Sequence, residues 1–233
     1  MMMVAVIPAY NEEKNIISVL KDLSDINIDV IVVDDGSTDK TKTIINEFLE
    51  KNEFKNKIFP IFKEKNEGKS KALEDGTNYA INLNYDAIAY LDGDYQHKPS
   101  DIIPMYEKMK SENADAVFGI RKYKHIPFHR QFSNFLASVI MSITVSVFSG
   151  NFHIFRDIQC GFRIIKSEFL KNSYFGDGYS VEHLIALQLA KKNAKITEEY
   201  VTIDYHNDAI SYITTKKILD VVKEVAKYVL SKH

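Results

Sequence analysis

What most restricts this chain is its rhythm: through the first half, short uninterrupted apolar runs alternate with stretches of helical period. Runs of that kind are buried on both faces, as the strands of a parallel sheet covered by helices must be. The spacing predicts strands at Val4–Ile7, Val30–Val33, Lys57–Phe62, Ala87–Leu91 and Ala116–Gly119. Helices are expected at Glu12–Leu23, Thr41–Lys51, Lys69–Asn82 and Pro99–Ser111, with Asn11 as a cap for the first and Ser37 or Asp39 for the second. This βαβαβ order calls for right-handed crossovers and places ligand binding at the carboxyl ends of the strands. After Arg121 the rhythm changes. An apolar helix over Phe135–Phe148 comes first, followed by the segment Cys160-Gly161-Phe162-Arg163 and a helix near Val181–Lys192. A strand near Lys195–Ile203 and an amphipathic helix over Lys216–Leu230 complete the chain. The expected class is α/β: one mixed, mainly parallel sheet flanked by helices over residues 1–205, then a loop and amphipathic helix over 206–233.

Composition removes several alternatives. A formal charge of −2 is wrong for a nucleic-acid binder, which needs a basic excess, so no nucleic-acid partner is expected. One cysteine, Cys160, makes neither an intramolecular disulfide nor a Cys-rich zinc site. The apolar start Met1–Pro8 has no basic residue ahead of it and runs into Asn11-Glu12-Glu13-Lys14, which reads as a first strand and not as a signal peptide. Phe135–Phe148 falls short of the roughly 20 residues that cross a bilayer. Flanked by Arg130 and Arg156, it suits an interfacial helix. The expectation is a cytoplasmic protein touching the membrane peripherally.

Acidic residues gather directly after strands. Asp34-Asp35-Gly36 follows Val30–Val33, and Asp92-Gly93-Asp94 follows Ala87–Leu91. If the strand geometry continues, Asp92 and Asp94 project to one side, and their mutual repulsion invites a hard divalent cation, Mg²⁺ or Mn²⁺. Gln96 and His97 stand near enough to add ligands. The plain alternative is a turn, since Asp and Gly favour turns anyway. Asp34 and Asp35 suit hydrogen bonds to a nucleobase or ribose, or the capping of the next helix. Lys69, at the start of a helix, suits a phosphate, or simply solvent.

In their order, Val6–Glu12, Val32–Asp39, Asn66–Lys69, Leu91–His97, Gln159–Arg163 and Gly178–Glu182 resemble the family 2 glycosyltransferases of GT-A fold. The nearest members are the dolichyl- or polyprenyl-phosphate sugar synthases. The resemblance runs from about Val4 to Ile203. It implies that Pro8, Tyr10, Glu12, Asp34, Asp35 and Lys69 bind the donor, a GDP- or UDP-sugar, together with Asp92 and Arg121. It implies a metal on Asp92, Asp94 and Gln96, with Arg130 and Arg163 on the acceptor side. The family's Gly-x-Ser-Lys loop after the last strand is replaced by Tyr205–Tyr212, so both a lipid-phosphate and a glycan acceptor stay open. The implied reaction is a metal-dependent, inverting displacement at the anomeric carbon. A hydroxyl acceptor would need a base, for which Glu182 and then Asp157 are the candidates. A nucleotidyltransferase lacks its Gly-rich, Arg-Lys signature here. A receiver domain would leave the second half unexplained, whereas a non-catalytic nucleotide-sugar module would keep the same carboxylates.

Overall fold

A computed structural model describes all residues except 52–53, 123–127, 151, 179, 205–214 and 232–233, and excepting the side chains of 128–133, 215–220 and 222. The elements are β1 (Met3–Ala9), α1 (Ile16–Asp25), β2 (Asp29–Asp34), α2 (Thr41–Lys51), β3 (Ile58–Phe62), α3 (Lys69–Asn82) and β4 (Ala87–Tyr90). Then come α4 (Ile102–Ser111), β5 (Ala116–Arg121), α5 (Phe128–Ser149), β6 (Arg163–Lys166), α6 (Ser167–Leu170), α7 (Val181–Lys191), β7 (Ile196–Val201) and α8 (Thr215–Leu230). Among the described residues the strands form one seven-stranded sheet in the order β3-β2-β1-β4-β6-β5-β7.

Side chains alternate across β1, and the core divides accordingly. Val4 and Val6 join the buried layer with Ile31, Val33, Leu184 and Ile185. Ala5 and Ile7 join the opposite layer with Leu20, Leu23, Ile45 and Met105. Burial on both faces is what turns these strands into continuous apolar runs.

The sequence pattern did not announce β6, a four-residue strand antiparallel to both β4 and β5. Arg-Ile-Ile-Lys is too short for a periodicity, and its first residue is charged. Arg163 is tolerated because its guanidinium donates to the carbonyls of Ile158, Cys160 and Glu182 and lies over the Phe118 ring. A second correction concerns Asn11. Instead of capping α1, which begins only at Ile16, it holds a positive φ of 58° and cross-links two loops. Its N–H donates to Ser37 Oγ at 2.9 Å, and its Oδ1 accepts the Thr38 N–H at 2.8 Å. The cap on α2 is Asp39, whose Oδ1 accepts the Thr41 N–H at 2.9 Å.

Helix α5 is longer than the apolar run suggested, and its serines have a use. Ser138, Ser142 and Ser146, one turn apart, accept the backbone N–H groups of Ile158 (3.1 Å), Phe155 (2.9 Å) and His153 (3.2 Å). This ladder fastens the segment 153–158 along the helix without a sheet. Among the described residues no helix is long and apolar enough to cross a membrane.

Candidate active site

Parallel strands deliver their following loops to one edge of the sheet, and β6 begins at that same edge because it runs the other way. Arg163, its first residue, pairs with Tyr90 at the end of β4 and with Phe118 of β5. Gly161, two residues earlier, therefore stands beside the turn Asp92-Gly93-Asp94. That turn lies beyond β4, which ends at Tyr90, so Asp92 and Asp94 are presented by a turn and not by continued strand. Gly93 lets it sit against the end of β1: a Cβ there would meet the Pro8 carbonyl oxygen at 3.1 Å and Glu12 Cγ at 3.5 Å.

The lysine that opens α3 and the glutamate in the first turn of α7 meet at this turn. Lys69 Nζ lies 2.7 Å from Asp92 Oδ1 and 3.1 Å from Glu182 Oε1. Glu182 is also held through its backbone, whose carbonyl accepts from Arg163. A Cβ on Gly161 would meet Lys69 Nζ at 3.2 Å, Asp92 Oδ2 at 3.4 Å and Glu182 Oε1 at 3.6 Å. The glycine thus keeps open the space in front of all three charges.

Electrostatics separates the two aspartates. Burial and the neighbouring Asp92 and Glu12 charges push the Asp94 carboxyl up to about 7, opposed by a hydrogen bond from the Gln96 N–H and by the Lys69 charge. Burial works the same way on Asp92, but the Lys69 ammonium, aided by His97 and Arg121, holds that carboxyl below the ordinary range. Glu12 is raised by burial and by Asp92, partly relieved by a hydrogen bond from Asn15. Carboxylates crowded this way fit a hard divalent cation. Among the described residues no three His, Cys, Asp or Glu side chains converge enough to hold a metal by themselves. The protein would supply Asp92 and Asp94, leaving the remaining positions to water and substrate phosphates, which is how Mg²⁺ is usually bound.

Other expected residues are placed differently. Asp35, only 2% exposed, accepts the N–H groups of Glu67 (3.1 Å) and Gly68 (2.7 Å) and pairs with Lys63 at 2.7 Å. It fixes the loop that carries Lys69, a task that leaves it turned away from solvent. Asp34 is 1% exposed and accepts the Ser37 N–H, which tightens its own turn. Arg163 is buried on carbonyls and does not fit an acceptor-side role. Asp157 does not fit the role of base, because both its oxygens are engaged by the Arg121 guanidinium at 2.7 Å. Tyr10 is exposed at the end of β1. The backbone of Gln96 is fixed by the Asp204 N–H, and His97 makes an isolated bridge to Ile203. The Arg130 side chain and the loop 205–212 lie outside the described residues. The sequence reading missed Gly161 and Lys63. Gly161 showed only as part of a motif, while Lys63 lies in the loop between β3 and α3, where no periodicity signals a partner.

Arg121 links this site to a second feature. It contributes to the electrostatics of Asp92, and it also lines an apolar groove of about 690 Å³ with Phe135, Val139, Ile143, Phe152 and Tyr200.

A sheet with helices on both faces and an acidic turn at its carboxyl edge is the plan of a GT-A glycosyltransferase. The chain belongs to glycosyl transferase family 2, whose family model matches residues 4–172. It is 61% identical to an uncharacterized protein of Methanocaldococcus jannaschii over 228 residues, 97% of this chain and 99% of that one. It is 31% identical to the UDP-N-acetylglucosamine–dolichyl-phosphate N-acetylglucosaminyltransferase of Methanococcus voltae over 181 residues, 71% of this chain and 70% of that one. Glucosyl-3-phosphoglycerate synthase of Mycobacterium tuberculosis, solved with Mn²⁺, uridine diphosphate and glucosyl-3-phosphoglycerate, superposes with a TM-score of 0.70. That match covers 99% of this chain and 79% of the other at 18% identity, and so speaks for the fold.

Proposed function

We propose that this glycosyltransferase moves a sugar from a nucleotide-diphosphate sugar, a UDP- or GDP-sugar, to a polyprenyl (dolichyl) phosphate, with inversion at the anomeric carbon. The observation that carries the reading is the apolar groove along α5, lined in part by Arg121, whose charge also helps to lower the Asp92 carboxyl of the acidic turn. A lipid phosphate has two ends of opposite character, and these two features suit them. Relatives named for transfer to dolichyl phosphate, at 31% identity over 71% of the chain, point the same way.

In this reading a phosphate oxygen of the acceptor attacks the anomeric carbon, the bond to the diphosphate breaks, and nucleoside diphosphate departs. A divalent ion on Asp92 and Asp94, with Gln96 as a further ligand, would neutralise the leaving charge. Tyr10, Pro8 and Glu12 border the donor site, while Lys69 faces its phosphates. A phosphate oxygen is already anionic near neutral pH, so no strong base is needed. A second reading has one observation in its favour: Glu182 points its carboxylate into the site, where it would serve as the base for a sugar hydroxyl.

The test is turnover with Mn²⁺ or Mg²⁺, a panel of UDP- and GDP-sugars, and either a short polyprenyl phosphate or free sugars. Nucleoside diphosphate release that requires the lipid phosphate is expected. Release that requires only a sugar hydroxyl selects the second reading. Donor affinity without release under any condition would mean a non-catalytic binding module.

A further inference from the structure

The Lys69 ammonium occupies a place where a cation is wanted. It touches Asp92 Oδ1 at 2.7 Å and Glu182 Oε1 at 3.1 Å, and the space on its open side is kept by Gly161. Its side chain retains a quarter of its full exposure, so it has room to move. Its backbone has little: Lys69 is the first residue of α3, directly after Gly68, whose N–H is fixed at 2.7 Å by the buried Asp35. The result is a partly exposed charge on a fixed base. Asp92 cannot serve this ammonium and a divalent ion equally well, because the two cations repel across one carboxylate.

We propose that Lys69 is a resident counter-ion that holds Asp92 in the empty enzyme and yields it only when metal and nucleoside diphosphate arrive together. This rests on the donor reading above. Metal alone must displace Lys69 from Asp92 and leave two cations side by side. A diphosphate changes the balance, since its oxygens receive the displaced ammonium while Glu182 keeps the other contact. Metal and nucleotide then bind with positive coupling, and thermodynamic linkage requires each to strengthen the other by the same factor. Lys69 is in this sense a positioning residue for the metal ligand.

The experiment measures Mn²⁺ binding directly, by the free-ion electron paramagnetic resonance signal, with and without saturating UDP. For the wild-type chain, UDP should raise Mn²⁺ affinity at least about tenfold. Lys69→Met, checked as folded by its thermal transition, should bind Mn²⁺ alone about tenfold more tightly than wild type and show correspondingly weaker coupling to UDP. Lys69→Arg keeps the charge and should behave like wild type. Lys69→Gln repeats the comparison if Lys69→Met fails to fold. Mn²⁺ affinity that is unchanged or weakened in the folded Met or Gln variant, while the wild type still binds Mn²⁺ and UDP, would overturn the counter-ion role and leave the donor reading standing. No Mn²⁺ or nucleotide binding by the wild type would overturn both.

Discussion

At the scale of single residues, the informative cases are those whose type matched the family pattern but whose partners give them another task. Asp35 is one. Its carboxylate satisfies two backbone N–H groups at the entrance to α3 and neutralises the Lys63 ammonium, which also lies 3.0 Å from Glu67. Asp35→Ala should therefore act on stability before donor affinity. Leaving two donors and a largely buried lysine short of a partner should cost about 3 kcal/mol. Urea denaturation checks this, with a lower midpoint expected at unchanged slope. An unaltered midpoint would show that the loop is held by other contacts. Much of the acidic turn was legible in the sequence, because carboxylates after an apolar strand have few places to go. The engagement of Lys69 with Glu182 was not, since it joins the starts of two helices distant in the chain, a proximity that only the topology creates.

At the scale of elements, the parallel strands could be read from their double-sided burial, whereas β6 was hidden by its length and by Arg163. Helix α7 shows how burial sets a titration. His183 faces the core beside Glu182 and Arg163, and burial lowers its pKa to about 4, with Arg163 acting in the same direction and Glu182 against it. In the unfolded chain the same imidazole titrates near 6.5. The folded state thus favours the neutral ring: the stability it secures is complete above pH 6.5 and declines as the pH falls toward 4, where the loss levels off. The difference amounts to about 3 kcal/mol. Replacing His183 with Gln should flatten the acid limb of a stability–pH curve between these values, relative to wild type. Parallel curves for the two proteins would mean that the ring is not held neutral.

At the scale of the whole molecule, an apolar face along α5 stands exposed among the described residues. Val147 is 70% exposed and Phe152 81%, and both line the groove that also holds Arg121. A patch of this kind marks a binding surface and contributes little to the core. Changing Val147 and Phe152 together to Glu should shift stability by no more than about 1 kcal/mol. The same change should abolish flotation with vesicles that contain polyprenyl phosphate. Vesicle binding that survives the double change would remove the groove from the proposed acceptor site. Two serines of the ladder, Ser142 and Ser146, line this groove, and the ladder's role was not legible in the sequence because the hydrogen bonds it makes belong to tertiary structure.

Under the proposed function, Asp92 and Asp94 join a divalent ion to the diphosphate of a sugar donor. Thermal unfolding of the wild-type chain and of Asp94→Asn, each with UDP- and GDP-sugars in the presence and absence of Mn²⁺, tests it most directly. A rise of about 5–10 °C is expected for the wild type at 100-fold excess over the dissociation constant, seen only when a donor and Mn²⁺ are both present and absent in Asp94→Asn. A donor-dependent rise that needs no metal, or one that persists undiminished in Asp94→Asn, would contradict it.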